Sequence, residues 1–199
     1  GYYKLCDLKS ENCNIIEGIR HTKYQSKDVE NIKKKIYILG PCTASGLFAS
    51  DENTIASFLQ KLINESKKEY HVVNLGVVGS RSTIYNDINS WHRLMDQKIS
   101  DGDIVVHLGQ ASWIGAFAKN IKNYYVSSSY FNQNSMCDCF ILGDSAHFDW
   151  KGNKIFAEKI FETIFEDETI LDDILLVNDL KYESDISINE LDRYFERIE

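Results

Sequence analysis

Asp144-Ser145-Ala146-His147 places a carboxylate three residues ahead of an imidazole, and Phe148-Asp149-Trp150-Lys151-Gly152-Asn153 leads on into an amphipathic stretch. An acid and a histidine on one loop ahead of a helix can act as a unit. The carboxylate holds one ring nitrogen while the other faces a nucleophile. The candidate nucleophile stands far upstream, in Gly40-Pro41-Cys42-Thr43-Ala44-Ser45-Gly46. Cys42 there follows an apolar run and precedes a helical pattern. That position exposes a side chain at a sheet edge and aims backbone N–H groups at a developing anion. A helix N-terminus and a nearby imidazolium would both favour the thiolate. Taken singly, these residues have plainer explanations. A free cysteine is commonly a small buried hydrophobe. Asp144 can cap the final helix, and so can Asp149, which stands nearer to it.

Strands and helices must carry these groups to one place. Lys34-Lys35-Ile36-Tyr37-Ile38-Leu39-Gly40, Tyr70-His71-Val72-Val73-Asn74-Leu75-Gly76 and Asp103-Ile104-Val105-Val106-His107-Leu108-Gly109 are short apolar runs closed by glycine, the pattern of buried strands. A fourth strand is predicted over Cys139-Phe140-Ile141-Leu142. Helical spacing marks 51–66 (Ile55, Phe58, Leu59, Leu62, Ile63, with Ser50 or Asp51 as N-cap), 83–98 (Ile84, Ile88, Trp91, Met95) and 151–166 (Ile160, Phe161, Ile164, Phe165). A short helix is expected at 114–121 and a polar, aromatic loop at 123–136. Continuously apolar strands alternating with amphipathic helices predict an α/β fold. The expected form is a three-layer α/β/α sandwich around a short parallel sheet of four or five strands, flavodoxin-like in type. Its carboxyl edge is where such sheets bind ligands. Residues 1–33 are polar and irregular, and read as an N-terminal extension with a strand or two against the domain edge. Residues 34–166 form the domain, and 167–199 an acidic arm or linker.

Glycines 76 and 79, in Asn74-Leu75-Gly76-Val77-Val78-Gly79-Ser80, serve as turn residues or as places where backbone N–H groups approach a substrate oxygen. His107, inside a strand, reads as a core histidine. The 199 residues carry a net charge of −8 with no basic stripe, which argues against nucleic acid. No apolar run approaches a membrane span, and the start of the chain has no signal-peptide pattern. Five cysteines (Cys6, Cys13, Cys42, Cys137, Cys139) at irregular spacing suggest reduced thiols and a cytoplasmic setting. Cys137-x-Cys139 has the wrong spacing for a zinc knuckle, so no metal is expected. Gly76-x-x-Gly79 is too little for a phosphate loop, so neither a nucleotide nor a flavin cofactor is expected. Residue 1 is glycine rather than methionine, which fits a processed chain or one domain of a multidomain protein.

In this order, the segments resemble the SGNH hydrolases, the GDSL-like esterase and lipase family, over roughly residues 34–166. The family's Gly-Asp-Ser-x-Thr-x-Gly after the first strand is matched in spacing by Gly40 to Gly46, with both end glycines kept. Its second-block glycine is matched by Gly79, with Gly76 nearby, and its Asp-x-x-His by Asp144 and His147. The sequence departs from the family at three places. Cys42 stands for the serine, Pro41 for the aspartate, and Gly109-Gln110-Ala111-Ser112 for the third block, which removes its asparagine. The interval before Asp144 is also short, as if one βα unit were missing.

The resemblance implies an acyl-enzyme on Cys42, with His147 as general base and then acid, and Asp144 orienting the imidazole. It implies an oxyanion held by the N–H groups of Cys42 and Gly79, with Gly76 beside them and Gln110 or Ser112 in place of the lost asparagine. A thiol accepts acyl groups readily from thioesters. The expected substrate is therefore an ester or thioester, coenzyme A or carrier-protein linked, with hydrolysis or transfer as the outcome. A non-catalytic SGNH-like binding module is the alternative. The lost asparagine and Pro41 fit it, and so does the acidic arm.

Overall fold

The computed structural model describes residues 5–25, 32, 34–78, 89, 92–108, 123–127, 139, 141, 147–166 and 174–176. Within them lie strands β1 (Ile15–Ile16), β2 (Ile19–Arg20), β3 (Lys34–Leu39), β4 (Tyr70–Asn74), β5 (Ile104–Leu108), β6 (Tyr124–Ser127) and β7 (Ile174–Leu176). The helices are α1 (Cys42–Ser45), α2 (Ile55–Glu65) and α3 (Trp150–Phe165), with a 3-10 turn at Asp51–Asn53 and a further helical stretch at 92–95. No described helix is long and apolar enough to cross a membrane.

The strands form one sheet in the order β1-β2-β4-β3-β5-β6-β7. Its centre, β4-β3-β5-β6, is parallel, with Ile36 opposite both Val72 and Ile104. The chain runs from β3 to β4 on one side and later to β5 on the other. Second-first-third-fourth is the flavodoxin-like order, and it puts the reversal of strand order at β3. Antiparallel strands close both edges: the β1–β2 hairpin beside β4, and β7 beside β6.

Both faces of the parallel strands are covered, as the sequence predicts. Ile36, Ile38, Val72, Ile104 and Val106 join one buried cluster with Ile55, Leu59 and Ile63 of α2 and Phe156, Ile160 and Phe161 of α3. The alternate residues Tyr37, Leu39, Val105 and His107 are fully buried as well, and a strand turns alternate side chains to opposite faces. Leu94, in the 92–95 stretch, is also fully buried. This is the three-layer α/β/α arrangement.

Several local expectations are corrected. The helix expected from Asp51 begins instead at Ile55, after the 3-10 turn. Its N-cap is Thr54, whose side chain accepts from the Ser57 N–H, and neither Ser50 nor Asp51. The loop expected at 123–136 contains β6, where Tyr124-Tyr125-Val126-Ser127 has the aromatic and β-branched character of a strand. The fourth parallel strand is therefore β6. At the place expected for it, Cys139 lies in a 3-10 turn and Ile141 is irregular. Of the helix expected over 83–98, residues 89 and 92–95 are described and helical, while 114–121 lies outside the described residues.

Tyr37 carries a testable cost. Its hydroxyl is buried without a hydrogen-bond partner. Burial, then the nearby Asp103 carboxylate, pushes its pKa up to about 12. A raised folded-state value means stability that is present below the unfolded tyrosine value near 10 and is lost as pH climbs towards the folded value. Tyr37→Phe should stabilise the fold by about 1 kcal/mol at neutral pH. In urea titrations, its advantage over wild type should widen between about pH 10 and 12.

Candidate functional site

Three strand ends converge under Cys42. Gly40, at the end of β3, has φ +137°, and an added Cβ would collide with the Leu108 carbonyl at the end of β5. On the other side the segment after β4 stays in ladder contact. The Leu75 N–H donates to the Ile38 carbonyl (2.8 Å) and the Val77 N–H to the Gly40 carbonyl (3.0 Å). Pro41 then fixes an extended entry into α1, at whose first position Cys42 stands as a half-buried free thiol. Gly46 closes the turn with φ +74°, its missing side chain replaced by the methyl of Thr54 at 2.5 Å. Both glycines that bracket Cys42 thus have structural reasons to be there.

The helix expected after Cys42 is a single turn. Ser45 N–H donates to the Pro41 carbonyl, and Leu47 N–H and the Ser45 hydroxyl both donate to the Cys42 carbonyl. One turn builds little macrodipole, so this position offers less help to an anion than the sequence pattern implies.

Gly76 is also placed differently from its expected role. Its N–H donates to Asn74 Oδ1 at 3.0 Å, inside the protein, so it is committed and unavailable to an oxyanion. A Cβ on Gly76 would strike the Ser45 nitrogen and lie 2.5 Å from the Ala44 carbonyl carbon. Glycine is required here because α1 lies directly on the backbone. Gly79, Gln110 and Asp144 lie outside the described residues.

His147 is half-buried on the loop that enters α3. Its carbonyl accepts from the Ile141 N–H at 3.0 Å, and the Asp149 N–H donates to the Cys139 carbonyl at 2.8 Å. Asp149, the nearer of the two acids, caps α3 by accepting from Lys151 and Gly152 N–H groups. The Asn153 amide donates to the Asn53 carbonyl at 2.9 Å, so α3 is tied to the turn ahead of α2. The His147 ring stands perpendicular to Phe48, with centroids 5.3 Å apart. Phe48 follows α1 by three residues, so the imidazole lies beside the loop that leaves the Cys42 turn.

Sequence reasoning missed Phe48 and the brace beneath it. Phe48 has φ +67°, a conformation that costs a bulky residue about 1 kcal/mol. The loop is pinned by Arg20 of β2. Its Nε pairs with Asp51 Oδ1 at 2.8 Å, its Nη2 donates to the Ala49 carbonyl at 2.7 Å and its Nη1 to the Gly46 carbonyl at 3.4 Å. Asp51 also accepts from the backbone and side-chain amides of Asn14. Nothing in the spacing of Arg20 and Asp51 signals a pair, because the contact depends on the hairpin joining the sheet edge.

No protein-family model matches this chain, and no curated protein matches it. A solved structure described as "Crystal Structure of TesA" is similar over 67% of this chain and 99% of that one, at 12% identity and a TM-score of 0.49. The chemistry is therefore read from the residues themselves.

Three variants test this anatomy. Gly76→Ala should cost about 1–3 kcal/mol by overpacking α1, read by urea denaturation. Asp51→Ala should cost about 3–5 kcal/mol, because it strands a buried guanidinium. Arg20→Met combined with Asp51→Leu should recover much of that loss.

Proposed function

We propose that this chain is an acyl-transferring enzyme of SGNH-hydrolase type, working on ester or thioester bonds through Cys42. The observation that carries the reading is the meeting of two loops. The Cys42 turn sits at the β3 reversal point, and its outgoing loop touches the His147 ring through Phe48. That is the edge at which open α/β sheets bind ligands.

In the proposed cycle, His147 takes the proton of the Cys42 thiol, the thiolate attacks the substrate carbonyl carbon and a C–S bond forms. The oxyanion is held by the Cys42 N–H and that of Gly79. The bond to the leaving oxygen or sulfur then breaks, and His147 gives that group its proton. Water, or an acceptor hydroxyl or amine, next gives a proton to His147 and attacks the thioester; the C–S bond breaks, and His147 returns the proton to the Cys42 sulfur. Asp144 orients His147 and stabilises its imidazolium. With the family asparagine absent and the Gly76 N–H committed, about 3 kcal/mol of oxyanion stabilisation is missing. A thiolate acyl donor tolerates that loss better than an alkoxide does, so transfer from a coenzyme A or carrier-protein thioester fits as well as hydrolysis.

A second reading is a binding module without chemistry. The single-turn α1 and the committed Gly76 N–H favour it, since both reduce what the site offers an anion.

Acyl thioesters and aryl esters should leave a mass adduct on Cys42 in intact-mass spectra, and Cys42→Ala should abolish both adduct and turnover. His147→Ala should slow Cys42 alkylation roughly tenfold at neutral pH. Full turnover by Cys42→Ala would sink the acyl-enzyme. A Cys42 alkylation rate that ignores His147 would favour the module.

A further inference from the structure

Phe48 is 72% exposed and belongs to no part of the buried apolar cluster. Core packing therefore does not explain it. Its backbone occupies the left-handed region, which disfavours a bulky residue, and so local propensity does not explain it either. Yet it is not a loose surface side chain. Arg20 grips the carbonyls on both sides of it, at Gly46 and Ala49, and Asp51 fixes the guanidinium. The Ala49 N–H returns to the Gly46 carbonyl at 3.0 Å, which closes the loop on itself. A strained residue held rigidly at the surface is an outlier from which function is inferred. One side of the ring meets His147, and most of the rest faces solvent.

We propose that Phe48 is the specificity-determining residue of the site, an apolar wall beside His147 that receives the acyl chain of the substrate and favours longer alkyl groups over acetyl. This rests on the acyl-enzyme reading for the identity of the ligand, while the wall itself is a property of the loop. An acyl group bonded to Cys42 must extend away from the sulfur. The braced loop that runs from Cys42 to Phe48 offers it a fixed aromatic surface. A rigid ring loses little conformational freedom on contact, so the apolar area it covers is gained at small entropic cost.

The test compares N-octylmaleimide with N-ethylmaleimide at Cys42, quantified on the Cys42 peptide by mass spectrometry, with glutathione as the free-thiol reference. In wild type the octyl reagent should outpace the ethyl reagent by about tenfold more than it does with glutathione, from burial of the extra methylenes. Phe48→Ala should collapse that ratio to the glutathione value, and Phe48→Leu should keep most of it. Acyl thioesters of rising chain length should show the same ordering in rate of Cys42 adduct formation. A wild-type ratio equal to that of glutathione would overturn the wall. So would a Phe48→Ala variant that slows both reagents equally, because that is the signature of positioning His147 alone. Absence of any acyl adduct, with the maleimide ratio intact, would remove the acyl-enzyme and leave the wall standing.

Discussion

The Leu108 carbonyl fills the space where a side chain on Gly40 would sit. That approach of backbone to backbone is the constraint from which the site follows. It lets β3 end hard against β5 while the Val77 N–H reaches back to the Gly40 carbonyl from the other side. With both neighbours drawn in, the chain passes through Pro41 into α1, whose first residue is Cys42. Gly76 repeats the device beneath α1, where the turn lies on bare backbone. These glycines are spacing elements, and the Cys42 turn is positioned by what they leave out.

The N-terminal segment is more than an appendage to this arrangement. Asn14 and Arg20 both bind Asp51, and the Asp51 N–H donates to the Asn12 carbonyl. A buried ion pair often contributes little net stability over an apolar pair of the same shape. What it supplies is direction. Arg20 uses its fork on one carboxylate and two carbonyls at once, and so fixes the path of the loop between Gly46 and Asp51. Because the Phe48 ring rides on that loop and stands against His147, geometry set at the sheet edge is passed to the imidazole.

Three of the four parallel strands are legible because each of β3, β4 and β5 lies in an apolar run that stops at glycine, and α2 and α3 because their stripes recur at helical spacing. Asp149 was weighed as a cap from its place alone. What could not be read were features made by tertiary contact. The Tyr124–Ser127 strand is hidden among polar residues and exists because β5 and β7 flank it. The single turn of α1 ends at Gly46, whose left-handed conformation caps it and whose packing leaves no room for a side chain beside Thr54. The sequence showed glycine at 76 and suggested an N–H free for a ligand, but Asn74, two residues earlier, takes that donor. Of the proposed site, Cys42 and His147 are candidates from residue type and spacing alone. Phe48 is not, since an exposed aromatic carries no signal until its backbone conformation and neighbour are known.

A thiol as the proposed nucleophile agrees with this local anatomy. A full helix concentrates about half a positive charge at its N-terminus, and one turn does not. The proposed site on α1 would therefore rely on individual N–H groups and on His147. A serine would have to be deprotonated during attack, whereas a free thiol has a pKa near 8.5 and is about a few per cent ionised at neutral pH without help. Pro41 acts in the same direction. An aspartate at that place, as in the SGNH pattern, would set a negative charge beside the sulfur and oppose its ionisation. Proline removes that charge and also holds the entry to the turn at φ −76°. In the proposed site, Cys42 and Pro41 are thus coupled: a thiol suits a turn with a weak dipole, and an uncharged, rigid neighbour suits a thiol.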